Sequence, residues 1–245
     1  VIGVVDIGNT RTKCAMYGAK GELVKESVFP SGPGLPMGAT EFFGASVDRA
    51  VVGSVVPSAT PIWAEYLLSV SGMVHVAGHD SPWGFHIGVE EPAKVGIDRL
   101  ANMEGALQFP GNVLVVDAGT ATKFDLLEGV SQRFFPGGAI APGLEISYEA
   151  LIGRTAQLPK IELAKHSPVL GYNTETAIRS GVVHGFAAMV DGMVMRFFEE
   201  RKLPAGTQVV ATGGNSSYLT GRARLISSAR PRLTLEGLYG LAKKL

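Results

Sequence analysis

Short apolar runs broken by glycine turns set the pattern from the first residue. Val1–Val5 is a β-branched run that ends at Asp6, and Gly8-Asn9 follows as a turn signal. Thr12–Tyr17 and Leu23–Phe29 repeat the strand pattern, separated by Gly18 and Gly21. Together they predict a meander of three antiparallel strands. Ser31–Gly38 is rich in Gly and Pro and predicts a loop. Val51–Val56 predicts a strand, Ile62–Val70 a helix and Met73–Ala77 another strand. From His79 to Pro92 the periodicity is lost and a connection is expected. Val95–Leu107 resumes as a helix with Ile97, Leu100, Ala101 and Leu107 inward, stopped by Pro110-Gly111.

The chain then begins again. Val113–Val116 ends at Asp117, Gly119-Thr120 makes a turn, and strands are expected over Thr122–Leu127 and Val130–Phe135. VVDIGNTRTK at 4–13 and VVDAGTATK at 115–123 share one plan: apolar strand, Asp, any residue, Gly, a small polar residue, then a strand with threonine and lysine. Their separation of about 110 residues fits duplicated halves rather than a solenoid, whose periods are roughly 20–50 residues. Helices are expected near Glu145–Ile152 and from an N-cap at Asn173 to about Glu200, with a polar connection over Gly153–Tyr172. Val209–Ala211 predicts a strand, Thr212-Gly213-Gly214-Asn215 a turn, and Leu235–Leu245 a last helix with Lys243 and Lys244 at its negative end. The two halves are placed at 1–94 and 95–245.

Composition narrows the function. Lys+Arg and Asp+Glu are both 22, so the formal charge is zero. A neutral chain lacks the basic footprint of nucleic-acid binding or of polybasic membrane attachment. Uncharged runs such as Ala50–Ala64 stay under ~18 residues and contain proline, so no membrane span is expected. VIGVVDIGNT has an acid and no basic region, so it does not read as a signal peptide. One cysteine, Cys14, excludes an intrachain disulfide and a multi-cysteine metal site, and fits a reducing, cytoplasmic setting. Glycine is 32 of 245, about 13% against a usual ~7%. Those glycines cluster beside apolar runs, where a backbone turns tightly or approaches a ligand.

Candidate chemistry sits at the same places. An acid at the end of a buried strand, facing a glycine turn, can hold a hydrated cation while backbone N–H groups meet phosphate oxygens. An ordinary hairpin with an Asx-turn is the alternative. G-x-x-x-x-G-K-[ST] is absent, and the glycines of 32–38 miss the dinucleotide spacing, so a nucleotide site has to be built on hairpins. The Gly213-Gly214 pair either lets a planar ring lie against backbone or makes a plain strand-to-helix turn with a polar cap. Gly96-Ile97-Asp98-Arg99 places an acid and an arginine at a helix start, either as a base beside an anion clamp or as an ordinary surface charge pair. The histidines are expected to be structural: His75 and His79 lie four apart on a strand pattern, and His166 and His184 are isolated. Met189, Met193, Met195 and Phe197-Phe198 read as core or subunit contact. No nucleophile elbow or reactive-cysteine signature is present.

DIGNTRTK (6–13), VGIDR (95–99), DAGTATKFD (117–125), GGAIAPGL (137–144), NTETAIRSG (173–181) and ATGGN (211–215) occur in the order seen in type III pantothenate kinases, and the chain resembles that family over nearly its whole length. The family belongs to the acetate and sugar kinase/Hsp70/actin superfamily. The resemblance implies an α/β fold of two ribonuclease-H-like, actin-like ATPase domains with a nucleotide cleft between them. It implies transfer of the ATP γ-phosphate to the primary hydroxyl of pantothenate, the first step of coenzyme A synthesis. Magnesium, a monovalent cation (potassium or ammonium) and a homodimer are implied with it. Residue by residue, Asp6, Ile7, Gly8, Asn9, Thr10, Arg11, Thr12 and Lys13 would form the first phosphate hairpin, with Asp6 orienting magnesium through phosphate. Gly96, Ile97, Asp98 and Arg99 would hold pantothenate, with Asp98 as the base. Asp117 would ligate the monovalent cation, Thr120 would touch ATP phosphate, Thr174 would contact pantothenate, and Gly213 and Gly214 would flank adenine.

The sequence departs from the family at two positions. The tyrosine usual seven residues before the first glycine of the G-x-D-R block is Val89 here, and Lys123 stands where a small or hydroxylated residue is more common. The Val89 departure keeps open a different phosphotransferase of the same superfamily. A non-catalytic nucleotide-binding regulator is the alternative from another class, and the intact acids Asp6, Asp98 and Asp117 speak against it.

Overall fold

The computed structural model describes residues 1–44 and 47–245. The opening meander forms as the pattern requires: β1 (Ile2–Ile7), β2 (Arg11–Tyr17) and β3 (Leu23–Pro30) pair antiparallel in sequence order. After the short α1 (Ala39–Phe43) come β4 (Arg49–Ser54), α2 (Thr60–Val70) and β5 (Val74–Val76), with β4 parallel to β1 and β5 parallel to β4. The strand order is β3-β2-β1-β4-β5. The aperiodic connection contains a short strand, β6 (His86–Ile87), before α3 (Ile97–Ala106).

The second start repeats this plan. β7 (Val113–Ala118), β8 (Ala121–Glu128) and β9 (Phe134–Pro142) form the meander, followed by α4 (Leu144–Gly153), α5 (Thr174–Arg201), β10 (Gln208–Thr212) and β11 (Ser228–Ala229). Their order is β9-β8-β7-β10-β11, which is the order of the first sheet strand for strand. The last helix is α6 (Leu233–Ala242).

The chain divides into two compact units, Val1–Gln108 with Ser131–Pro136 and Arg232–Leu245, and Phe109–Val130 with Gly137–Pro231. This division differs from a boundary at residue 94. α3 stays with the first unit because it packs on α6, and α6 packs on β1 and β4. Two expectations are corrected. The third strand of the second meander runs over Phe134–Pro142 rather than Val130–Phe135. Gly129 turns at φ 92° with its N–H on the Asn112 side chain, and pairing resumes only later. The glycines of the GGAIAPGL block lie within that strand, where Gly138 lets it approach β8: a Cβ there would sit 2.0 Å from the Phe124 carbonyl oxygen. The last helix also ends earlier, at Ala242, with Lys243 as its cap.

Strand alternation gives the first sheet two buried faces. Val5, Ile7, Cys14 and Val52 pack with Phe42, Phe43, Trp63 and Leu67, contributed by α1 and α2. Val4, Ala15, Tyr17 and Val51 pack with Ala101, Leu235, Leu238 and Leu241, contributed by α3 and α6. In the second unit Leu114, Val116, Phe124 and Leu126 pack against Leu144 of α4 and Phe186, Val190 and Val194 of α5. α5 starts with a capping box between Asn173 and Thr176, as its N-cap predicts. By length and composition it is apolar enough to cross a membrane, contrary to the reading from uncharged runs. One face of it is nevertheless part of the core just described.

Two measurements check this packing. A Cβ at Gly237 would lie 1.8 Å from the Ala101 carbonyl oxygen, so Gly237→Ala drives α6 off α3. The expected cost is about 1–3 kcal/mol, read as a lower denaturant midpoint. Cys14 is fully buried, and burial followed by the charge of Asp6 pushes its thiol well above the usual range. Native protein should therefore not react with a thiol-titrating disulfide reagent, and the unfolded chain should release one equivalent per chain.

Candidate active site

In the first unit the strand ends carry the polar groups. Asp6 lies at the end of β1, 9% exposed, opposite Lys13 of β2. Gly8, Asn9 and Thr10 form the turn between them, with the Gly8 N–H on the Arg11 carbonyl at 3.1 Å. Asn9, Thr10 and Arg11 are exposed, and Thr12 is buried. The turn is braced from outside the motif by Ser31. Its hydroxyl donates to the Gly8 carbonyl at 2.6 Å and lies 2.9 Å from the Thr12 hydroxyl, while its N–H donates to the Thr10 carbonyl at 3.1 Å. Sequence reasoning left Ser31 in a loop. Its only signal was a serine placed immediately after the third strand.

The start of α3 meets the same end of the sheet. The Val55 N–H, just past β4, donates to the Ile7 carbonyl at 3.0 Å. A Cβ on Gly96, the N-cap of α3, would lie 3.6 Å from Val55 and 2.5 Å from an Asp98 carboxylate oxygen. Gly96 therefore leaves room for the Asp98 side chain to fold back, where it accepts from the Arg99 N–H at 2.9 Å. The Arg99 guanidinium carbon stands 5.5 Å from the centroid of Phe135, at the start of β9. Phe134 and Phe135 belong to this unit and pair in parallel with His86 and Ile87. Phe135 is a second residue missed from sequence. Val89, half-buried, follows this strand pair directly.

In the second unit Asp117, 8% exposed, ends β7 as Asp6 ends β1. It faces Lys123 of β8 in register, and here the pair closes to a salt bridge at 3.1 Å. Gly213 follows β10 at φ 88°, where a Cβ would lie 2.5 Å from the other Asp117 oxygen and 2.6 Å from the Ala118 carbonyl. Only glycine fits that approach. The exposed Thr120 sits at the hairpin turn, and Gly143 of the GGAIAPGL block packs on it, with a would-be Cβ 2.1 Å from the Thr120 carbonyl oxygen. The structure thus brings Asp117, Lys123 and Gly213 together, with Gly214 next in the chain. Thr174 stands on the exposed first turn of α5.

Other polar side chains bond within the fold. His75 bonds Ser81 at 2.8 Å and His184 bonds the Ser167 carbonyl at 2.8 Å. The Tyr148 hydroxyl donates to the Ile161 carbonyl, and Trp83 donates to the Gly78 carbonyl. Among the described residues no group of three or more His, Cys, Asp or Glu could hold a metal ion.

A family model described as type III pantothenate kinase matches residues 4–196. The chain belongs to the type III pantothenate kinase family. A type III pantothenate kinase of Dehalococcoides mccartyi is 34% identical over 249 residues, covering 96% of this chain and 94% of that protein. One of Streptomyces avermitilis is 40% identical over 204 residues, covering 81% and 76%. Among solved structures, a Campylobacter jejuni protein described as a Baf family transcriptional activator superposes with a TM-score of 0.63 at 17% identity, covering 99% of this chain and 98% of that one. A ROK family glucokinase from Streptomyces griseus, solved with glucose and AMPPNP, gives 0.54 at 12%, covering 100% and 99%. These two show the fold alone, and with the repeated 3-2-1-4-5 sheets they confirm the two-domain ribonuclease-H-like architecture of a pantothenate kinase of this type.

The bracing of the first hairpin is testable by Ser31→Ala. That change leaves the Gly8 carbonyl and the Thr12 hydroxyl short of a partner. It should lower stability by about 0.5–1.5 kcal/mol in urea unfolding while the circular-dichroism spectrum is unchanged.

Proposed function

We infer that the chain phosphorylates pantothenate at its primary hydroxyl with ATP, giving 4′-phosphopantothenate for coenzyme A synthesis. The observation that carries this reading is the family match together with the acid at the N-terminus of α3, held at the same sheet end as the phosphate-type hairpin. In the first unit Asp6 and the turn 7–13 take the phosphate-facing role, and Gly96–Arg99 the pantothenate role. Asp98 accepts the hydroxyl proton, chiefly by orienting the alcohol, since a carboxylate is a weak base. Arg99, stiffened over Phe135, offers its planar fork to the pantothenate carboxylate. In the second unit Thr120 takes a phosphate contact, Gly213 and Gly214 the adenine, and Thr174 a pantothenate contact.

Magnesium fits this donor set. A metal of that type binds through one or two carboxylates and substrate phosphates, and Asp6 supplies a shielded carboxylate at a strand end. When bound it neutralises charge on the transferring phosphoryl group. A free monovalent cation at Asp117 does not fit, because the Lys123 ammonium already lies on that carboxylate.

A homodimer in the cytoplasm completes the reading. Support for pairing comes from α5 and the neighbouring groove of about 420 Å³ lined by α4, α5 and the end of β9. Gly181 and Gly185 face open space there, and Ile146 and Leu151 are exposed nearby. Burying such an apolar face against a second copy is favourable.

Purified protein given ATP, magnesium and pantothenate should form a phosphomonoester of pantothenate. Folded, ATP-binding protein with no transfer to pantothenate would refute the reading, and transfer to another alcohol would favour the second phosphotransferase suggested by Val89. Asp98→Asn should keep the fold and lose at least ~10²-fold in kcat. Near-normal turnover would remove Asp98 from the chemistry.

A further inference from the structure

We propose that Lys123 is a built-in monovalent cation, and that this kinase works without a free potassium or ammonium ion. Three observations carry it, all within the second unit. The Lys123 Nζ lies 3.1 Å from Asp117 Oδ2, and the two side chains are only 17% and 11% exposed. The register makes this pairing systematic, since Asp117 and Lys123 stand directly opposite across β7 and β8. Asp117 Oδ1 is walled by backbone: would-be Cβ atoms on Gly213 and Gly119 lie 2.5 Å and 3.5 Å from it. One oxygen faces an ammonium and the other faces two glycines.

The chemistry of the pair follows from charge. A shielded carboxylate requires a positive partner, and an ammonium is a compact, strongly hydrated point charge like a free alkali or ammonium ion. A tethered cation is present at a high effective concentration and loses no translational freedom on binding. A second monovalent cation brought to the same carboxylate would meet the repulsion of the first. Lys123 therefore acts as a positioning residue: it neutralises Asp117 and fixes the carboxylate against the Gly213 turn, the segment assigned to adenine.

The test pairs turnover with melting, and only the turnover arm depends on the kinase reading. Initial rates of wild-type protein are compared in buffer with a bulky organic cation and in the same buffer with potassium or ammonium at equal ionic strength. The expected change is under about twofold. Lys123→Ser opens the space, so the variant should lose roughly tenfold or more without potassium and recover with it. Potassium should also raise the melting temperature of Lys123→Ser and leave that of the wild type unchanged. A wild type that needs potassium for turnover, or is selectively stabilised by it, overturns the proposal. So does a Lys123→Ser protein whose melting ignores potassium. Absence of turnover in every buffer would count against the kinase reading, while the melting comparison would still decide the role of Lys123.

Discussion

A carboxylate at the end of a buried strand has to be answered by something positive or by N–H groups. The fold meets that constraint twice, at Asp6 and at Asp117, each under a tenth exposed and each facing a lysine across a hairpin. Unpaired, such a charge would cost several kcal/mol. Paired with a tethered ammonium or with a metal on phosphate, it becomes a fixed and charge-balanced anchor. Phosphoryl transfer needs that kind of preorganisation more than it needs covalent chemistry.

Rigidity around these acids comes from backbone approaching backbone. Gly213 abuts Asp117, Gly143 abuts the Thr120 turn, Gly138 brings β9 onto β8, and Gly237 seats α6 on α3. Each place excludes a Cβ, so these four glycines are required by contact rather than by flexibility. Ser31 does the equivalent work with hydrogen bonds on the first hairpin. In the proposed reading α3 is the element that converts scaffold into chemistry. Its N-terminus projects Asp98 and Arg99 at the sheet end where the hairpin turns, while its other face is locked on α6.

Much of this was legible along the chain. The first meander, the duplication and the N-cap at Asn173 follow from period and spacing alone, because local geometry decides them. The family follows from motifs, and the physical reading of their residues agrees with it. What escaped depended on partners distant in sequence. The role of Gly138 depends on the β8 carbonyl it approaches, which is invisible in one dimension. Ser31 and Phe135 have no motif. Lys123 was conspicuous as a departure, yet its meaning required the register that sets it opposite Asp117. The return of α6 to the first sheet from the end of the chain is likewise a contact between residues distant in sequence.

The central claim is the proposed role of Asp98 as the group that receives the proton of the attacking alcohol. A crystal structure with pantothenate and a non-hydrolysable ATP analogue tests it most directly. The account predicts an Asp98 carboxylate oxygen within about 2.6–3.2 Å of the primary hydroxyl, with the pantothenate carboxylate on Arg99. A primary hydroxyl held by a different group, with Asp98 turned away from it, would contradict the account.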